Sequence, residues 1–579
     1  MFRSATLLFA AFALTACAPI SALAPDSNSP APLATRAPTA DPTRPRILRI
    51  NLNTRPDLLD PQRASTNSEI AILQLAYEGL TRWDAKGRVT PGAAEKWTFS
   101  ADGKTLTFHL RAGLKRADGS RLTARDFETA FKRALDPRLS NTDASFLDDL
   151  TGAQNSYTLD PKSKPEDIQR AHDAIGIQIV DDATLVFNFA RPAGYFPTIA
   201  ATWIGFPSDK NKVESDPDGW WFKPENHNSN GAFIVKEFQE GSAKLVPNPN
   251  YWGAKPKLDR VEFYWISDPA AALDAYRKGA LEILRVSGDE LAAAQADASL
   301  AKEIARGSAA RVSYLGFNVK RAPFTDKNVR KAFSLALDRE AFVRDALKGA
   351  GKPYLSWIPP GVPGFDAQAN VPAFDANQAV QTLVEAGYGT ADRKKVDCNK
   401  LGSIKLTYAN TPRNQFLYQF IAGSFAKTFA CPILLDPLEA SAYAVIAKDT
   451  RTSPQIFLLT WEQEYPHAQN WLFLHACNGA YAQRLGYCNR EFDAALAAAN
   501  AETDVEAAPE KYRAAQKILV NDGVAAFFWL SESAYLVKPY VVGMREAFGI
   551  SDSVYPGQAG AFASFTIDTA KTGAGYPEK

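Results

Sequence analysis

Trp97-Thr98-Phe99-Ser100-Ala101-Asp102-Gly103-Lys104-Thr105-Leu106-Thr107-Phe108-His109-Leu110 alternates apolar and polar residues on both sides of an Asp-Gly pair. A period of two puts one face of each arm on a core, and Asp-Gly tolerates the positive φ angles of a tight turn, so the stretch predicts a β-hairpin. Immediately downstream the period changes. Thr123 can cap a helix and Asp126 can return the bond, and Phe127, Phe131 and Leu135 then recur at helical spacing until Asp136-Pro137 stops the run. Leu185-Val186-Phe187-Asn188-Phe189 alternates again.

The same switching continues in both directions. Upstream, Arg46 to Leu52 reads as a strand, and Glu69 to Gly79 as a helix with Ile70, Leu73 and Tyr77 on one face. Downstream, Gly231 to Val235, Ala243 to Val246 and Val261 to Trp265 read as strands, Ala270 to Lys278 as a helix, and Ala310 to Val319 contains a strand. Thr325 to Leu337 puts Val329, Phe333 and Leu337 on one helix face. Ile404 to Tyr408, Gln415 to Phe429, Ile433 to Leu435 and Ala440 to Ala447 read strand, helix, strand, helix. Ile456 to Trp461 is a further strand and Glu510 to Val520 a late helix. There is no repeat of fixed period. Alternation on this scale indicates an α/β or α+β body, and more than 500 residues are too many for one core, so two or three lobes are expected.

The first residues differ from the rest. Arg3, the apolar run Leu7 to Leu14 and Leu14-Thr15-Ala16-Cys17 form a stretch too short to span a bilayer, which reads as a cleaved export signal. The last four residues resemble the bacterial lipoprotein box, in which the cysteine is acylated; cleavage after small residues as in an ordinary signal peptide is the alternative. From Ala18 to about Pro45 the chain is rich in Ala, Pro, Ser, Thr and Asp, with no apolar period, as in a flexible tether. Lys+Arg is 65 and Asp+Glu 64, so without Arg3 the charge is near zero, and the basic surplus expected of a nucleic-acid binder is missing. If Cys17 carries lipid, Cys398, Cys431, Cys477 and Cys488 remain, an even number that favours two disulfides in an exported chain. Three pairings are possible, and the sequence-near one, Cys398–Cys431 with Cys477–Cys488, is the expectation. A zinc site is the alternative, but the spacings fit no CxxC pattern and there are only five histidines.

Three groups of segments resemble one family. The first runs from Glu78-Gly79-Leu80-Thr81 through Pro91-Gly92-Ala93-Ala94-Glu95-Lys96-Trp97, Asp102-Gly103-Lys104-Thr105 and Phe108-His109-Leu110-Arg111 to Asp118-Gly119 and Leu122-Thr123-Ala124-Arg125-Asp126-Phe127. The second is Asn230-Gly231-Ala232-Phe233 with Pro247-Asn248-Pro249-Asn250-Tyr251-Trp252. The third is Gly316-Phe317-Asn318, Pro323-Phe324 and Val329-Arg330-Lys331-Ala332-Phe333-Ser334-Leu335-Ala336-Leu337-Asp338-Arg339. In this order they are similar to the extracytoplasmic solute-binding proteins of oligopeptide and dipeptide ABC importers, bacterial solute-binding protein family 5, and they span nearly the whole chain after the signal. The resemblance implies an α/β, two-lobed periplasmic-binding-protein-like fold of type II, with an extra subdomain on lobe one and a ligand enclosed between the lobes by hinge closure. The implied layout is signal 1–16, lipid-anchored linker 17–45, lobe one over 46–89, 225–311 and 531–579, its extra subdomain over 90–224, and lobe two over 312–530. The implied partners are a peptide or peptide-like ligand, the permease subunits of an ABC importer with their cytoplasmic ATPase subunits, and the membrane through the lipid on Cys17. The implied binder is a monomer without cofactor or metal.

Peptides offer an ammonium, a carboxylate and a strand-like backbone, so a binder needs an acid for the amine and backbone groups for the main chain. In peptide-binding members an acid in a pattern like Trp-x-x-Asp-Tyr holds the amine, and the match here is Trp461-Glu462-Gln463-Glu464-Tyr465, followed by Asn470-Trp471-Leu472. Glu464 keeps the charge of the usual Asp and reaches one methylene further, whereas His467-Ala468 replaces the family's acid-Pro. A surface carboxylate is the other reading of Glu464. Asp449-Thr450-Arg451 resembles a segment whose arginine faces the ligand, with a solvated loop arginine as the other reading. Thr54-Arg55-Pro56-Asp57-Leu58-Leu59-Asp60-Pro61 matches a cleft-lining stretch in which some oligopeptide binders carry an acid where Arg55 stands, so Arg55 reverses the charge and suggests a second carboxylate anchor or a ligand other than a plain tripeptide. Phe146 in Ala144-Ser145-Phe146-Leu147 stands where a family aromatic covers the ligand, and Asn230 and Gly231 are expected to offer backbone contacts near the hinge. Trp203, Trp220, Trp221, Trp357, Trp461 and Trp471 lie in loop-like or strand-end contexts, where a few could stack on ligand, although an aromatic is more often core. A sugar, a nickel complex or a signalling peptide is the alternative ligand. Gly-x-Ser-x-Gly, His-Glu-x-x-His and a P-loop are all missing, and Thr98 stands where a P-loop ending at Gly103-Lys104-Thr105 needs glycine, so no enzyme is expected.

Overall fold

The Trp97–Leu110 stretch folds as two paired antiparallel strands, Ala94–Phe99 and Thr105–Leu110, in the computed structural model, which describes residues 44–84, 86–544, 565–572, 576 and 577. The export signal, Cys17 and the linker to residue 43 lie outside the described residues, as does part of the C-terminal tail. The hairpin turn is wider than a two-residue Asp-Gly turn. Ser100 N–H donates to the Thr105 carbonyl and Gly103 N–H to the Ser100 carbonyl, both at 2.9 Å, and only Gly103 has positive φ, +67°. With Thr184–Asn188 and Ile177–Asp181 these strands make a four-stranded antiparallel sheet. The helix Ala124–Ala134 lies against it, with Phe127 and Phe131 fully buried and Thr123 N–H bonded to Asp126 Oδ2 at 2.7 Å. Phe131 packs edge-on to Phe187 with ring centroids 5.0 Å apart, and Phe196 meets Phe187 at the same distance.

A second, eleven-stranded sheet carries the rest. Its order is Ile433–Leu438, Ile404–Ala409, Ile456–Glu462, Ile304–Phe317, Ala525–Val537, Ile283–Val286, Ile47–Asn51, Arg260–Tyr264, Ser242–Pro247 and Phe233–Phe238, with Lys352–Pro353 attached to the Ala525–Val537 strand. Two long strands cross its middle. Ile304–Ser308 pairs with Leu536–Glu532, and Val312–Gly316 pairs with Leu530–Ala525. Between them the register shifts at a bulge, where Ala310 takes φ +42°. A bulge bends its strand and raises the local twist, and an alanine in the left-handed region persists only where its surroundings fix it. Here Ala310 N–H donates to Ser308 Oγ at 3.1 Å, and the Ala310 carbonyl accepts from Gln463 N–H at 3.0 Å.

The cores separate at this bulge. On one side, Ile47, Leu48, Phe233, Val261 and Phe263 share a core with the hairpin subdomain. On the other, Tyr314, Trp357, Trp471 and Phe527 form one cluster, and Phe317, Phe333, Phe425 and Phe528 another. The architecture is two-lobed, and the two long crossing strands of the sheet belong to both lobes. Two disulfides, Cys398–Cys431 and Cys477–Cys488, lie in the second lobe.

The quoted motifs mostly hold this frame. Tyr251 OH and Trp252 Nε1 each donate to Glu78 at 2.6 Å, tying Asn-Pro-Asn-Tyr-Trp to the end of the Asn67–Ala76 helix. Arg330 donates to the carbonyls of Asp522 and Gly523, and Arg339 to those of Ser334, Leu337 and Phe527, so the helix Lys327–Leu335 is fastened to the start of a crossing strand. Burial without an acid partner pulls the Arg339 guanidinium down to about 9. Trp220, Trp357 and Trp471 are fully buried, which makes them core rather than ligand-stacking surfaces.

Candidate functional site

The Ile456–Glu462 strand runs antiparallel to the crossing strand Ile304–Phe317, with Ile456 opposite Phe317 at the far end of the lobe and Glu462 opposite Arg311 beside the bulge. Gln463, Glu464 and Tyr465 therefore leave the sheet where the lobes meet. One residue organises the turn. Asn470, fully buried at the short helix Gln469–Leu472, accepts through Oδ1 from Trp461 Nε1 at 3.2 Å and Glu464 N–H at 3.0 Å, and donates through Nδ2 to Glu464 Oε2 at 3.1 Å. Trp471 Nε1 donates to Gln463 Oε1 at 3.3 Å, and Tyr465 OH to Gln469 Oε1 at 2.5 Å. Burial pushes the Glu464 carboxyl up to about 7; the Asn470 bond offsets part of this, and the charge of Asp143 adds to it.

Asp143 belongs to the other lobe. It precedes the turn Ala144–Leu147, and its Oδ2 accepts from Trp203 Nε1 at 3.2 Å. Burial raises its carboxyl as well, against the bonds from Trp203 and Thr142. Phe146 stands edge-on to Trp203, centroids 6.1 Å apart, and to Tyr465 across the lobe boundary, centroids 5.3 Å apart. Beside them a cavity of about 170 Å³ opens between the lobes, lined by Tyr195 and Trp97 from one and by His467, Pro466 and Tyr512 from the other. His467 Nδ1 accepts from Gln469 N–H at 3.1 Å, its ring packs on Tyr512, and burial holds it down at about 4, so it is a neutral wall of the cavity.

The structure thus brings Trp461, Glu464, Tyr465 and Phe146 together. Arg55 follows the strand Ile47–Asn51 at the sheet end nearest the bulge, is exposed, and among the described residues is in no ion pair. Arg451 is elsewhere. It lies before Ile456, at the end of the strand farthest from the bulge, with its side chain 87% exposed and paired to Asp449 at 2.6 Å. An acid two residues away captures that guanidinium, so the solvated-loop reading fits. Asn230 and Gly231 are already used. Asn230 clamps the Glu78 backbone, accepting from its N–H at 3.1 Å and donating to its carbonyl at 2.8 Å. Gly231 N–H donates to the Ala76 carbonyl, and the Gly231 carbonyl accepts from Asn248. Sequence reasoning passes over Asp143 and the organising role of Asn470. Asp143 reads as a cap before Ala-Ser-Phe-Leu, and only its place before the ligand-covering aromatic could have marked it.

Residues 88–482 match the family described as bacterial extracellular solute-binding proteins, family 5 middle. The periplasmic murein peptide-binding protein MppA of Escherichia coli K12 is 28% identical over 504 residues, covering 85% of this chain and 89% of MppA. The probable deoxycholate-binding periplasmic protein YgiS of the same organism is 28% identical over 531 residues, 89% and 94% of the two chains. The periplasmic oligopeptide-binding protein OppA of Haemophilus influenzae is 29% identical over 507 residues, 85% and 90%. The unliganded open form of MppA superposes with a TM-score of 0.77 at 26% identity, covering 90% of this chain and 97% of MppA, whereas another MppA structure gives 0.63 with 90% and 98% covered. Of these two structures, the unliganded open form is thus the one this chain resembles more. Fold and matched residues agree, and the chain belongs to the bacterial extracellular solute-binding proteins of family 5.

Proposed function

We propose that this protein is an extracytoplasmic receptor that takes the ammonium end of a peptide at Glu464, closes its lobes about the two crossing strands, and delivers the peptide to an ABC importer. Glu464 carries the reading. It is a largely buried carboxylate at the lobe boundary, oriented by Asn470, with no lysine, arginine or histidine paired to it among the described residues. A ligand ammonium supplies the missing charge, and such a pair is strongest where water is excluded. Phe146, Trp461 and Tyr465 frame the amine, and Arg55, exposed and in no ion pair among the described residues, suits the opposite carboxylate. The change of register at Ser308–Val312 supports a division with lobe one over 46–311 and 531–579, including the subdomain 90–224, and lobe two over 312–530. Cys17 would tether the receptor to the outer face of a membrane, and no helix of the described residues is long and apolar enough to cross one. The names of MppA and OppA fit a peptide ligand. A deoxycholate-like anion, as in the name of YgiS, would leave Glu464 without a countercharge.

Mass spectrometry of the ligand released from purified protein tests the reading, followed by calorimetric titration of the stripped protein with di- to hexapeptides. Peptides in the released fraction and micromolar or tighter titration are expected. A non-peptide ligand, or silence with every peptide pool, overturns it.

A further inference from the structure

Asp143 and Glu464 come from different lobes and are brought near each other by the Phe146–Tyr465 contact: Asp143 stands three residues before Phe146, and Glu464 precedes Tyr465. Each is anchored from behind by neutral donors: Asp143 by Trp203 Nε1 at 3.2 Å and Thr142 OH at 3.3 Å, Glu464 by Asn470 Nδ2 at 3.1 Å. Trp203 Nε1 also donates to the Ala64 carbonyl at 3.1 Å, so the indole that positions Asp143 is itself fixed. Four other buried carboxylates of lobe one are neutralised by arginine, whereas Glu69, as deeply buried, is held by the backbone N–H groups of Leu58, Ser65 and Thr66 in a helix cap. Asp60 pairs with Arg133 at 2.6 Å, Glu282 with Arg49 at 2.6 Å, Asp149 with Arg191 at 2.5 Å and Glu78 with Arg82 at 3.6 Å. Among the described residues, neither Asp143 nor Glu464 has a cation. These two acids stand at the lobe boundary, where the Phe146 and Tyr465 rings meet.

We propose that Asp143 and Glu464 form a two-acid clamp that selects ligands whose leading end carries two positive charges, such as a peptide beginning with lysine, ornithine or arginine. The clamp rests on the peptide reading above and narrows it. One ammonium between two desolvated carboxylates leaves a net negative charge in the closed site, which is costly, whereas two cationic nitrogens neutralise it. The α-ammonium goes to Glu464 and the side-chain cation to Asp143, with the Trp203 and Phe146 rings against its aliphatic stem.

Calorimetric titration of the stripped protein at pH 7.5 with Lys-Ala-Ala, Ala-Ala-Lys and Ala-Ala-Ala tests it. Lys-Ala-Ala and Ala-Ala-Lys share composition and net charge, so only the position of the second cation differs. Lys-Ala-Ala is expected to bind at least tenfold tighter than Ala-Ala-Lys, and Asp143→Asn is expected to erase that ratio. Equal affinities for the two isomers overturn the clamp without any variant, and a ratio that survives Asp143→Asn in a protein with an unchanged melting curve overturns the role of Asp143. If the tripeptides bind and Glu464→Gln weakens them all but no isomer is preferred, the clamp falls and the peptide reading stands. If no tripeptide binds while other di- to hexapeptides do and show no preference for a cationic first residue, the clamp alone falls; if no peptide of any length binds, both fall.

Discussion

Glu464 makes ligand capture depend on pH in a range where an ordinary surface carboxylate no longer titrates. Its carboxyl ionises near 7, because burial disfavours the charged form and Asp143 reinforces this. An ammonium binds only the ionised form, so affinity rises with pH through that range until the peptide amine, with an ordinary value near 8, begins to lose its own proton. Between pH 5.5 and 7.5 these two titrations give a gain of roughly 20-fold, or about 1.8 kcal/mol. A surface glutamate would already be ionised at pH 5.5 and would give almost no change. Calorimetry in buffers of different ionisation enthalpy supplies an independent measure: about one proton is released per peptide bound at pH 5.5, and almost none at 7.5, where the proton taken up by the amine balances the one Glu464 gives up. Glu464→Gln should bind more weakly at pH 7.5 and lose both the slope and the proton release. Affinity that is flat or stronger at pH 5.5, or a 20-fold slope that persists in Glu464→Gln, would refute the reasoning.

The same shift acts on folding. The folded value lies above the unfolded one, so the stability contributed by the protonated Glu464 is fully present below about 4.5 and lost as pH rises through about 7. Ligand-free Glu464→Gln should therefore gain on the wild type between pH 4.5 and 8, by up to about 3 kcal/mol. The difference between the two proteins isolates this group from other raised acids such as Glu78 and Glu282.

Other consequences are as direct. Asn470→Ala strands Trp461 Nε1 and the Glu464 carboxylate, and should cost about 3 kcal/mol in chemical denaturation and weaken peptide binding at pH 7.5 at least tenfold. Trp357→Ala, in the core with Trp471 and Tyr314, should cost about 3–5 kcal/mol of stability, and at temperatures where the protein stays folded its peptide affinity should match the wild type. Gly231→Ala would place a Cβ 2.5 Å from the Ala76 carbonyl carbon and 2.6 Å from Tyr77 N, and should lower the melting temperature by several degrees, since backbone has to move. Removing Cys398–Cys431, which spans 33 residues, should destabilise by about 1 kcal/mol more than removing Cys477–Cys488, which spans 11, as compared by denaturation of Cys-to-Ser pairs.

What could be read along the chain and what could not divide by physical range. The hairpin and the Thr123 cap are local, so their alternation and spacing were enough, and only the width of the turn differed. The strand Ala525–Val537 went unread because a central strand buried on both faces shows no alternation: Ala-Ala-Phe-Phe-Trp-Leu-Ser-Glu-Ser-Ala-Tyr-Leu-Val resembles a buried helix as much as a strand. With that strand went the bulge, which exists only where it meets Ile304–Phe317, although the lobe boundaries implied by the family resemblance, 311/312 and 530/531, fall beside it. Short motifs located segments better than roles. Asn230-Gly231 is where a family reading expects it, yet its polar groups are spent on Glu78, Ala76 and Asn248. Arg451 matched three letters and was lost to Asp449. Asp143 shows the deepest limit. Nothing within ten residues of it distinguishes a helix-capping acid from the ligand-binding one proposed above; that proposal draws on Glu464, more than 300 residues away, and on Asp143 having, among the described residues, no arginine such as Asp60, Asp149 and Glu282 each have. A binding acid is defined by a partner the chain withholds, and that becomes visible only when both lobes are in place.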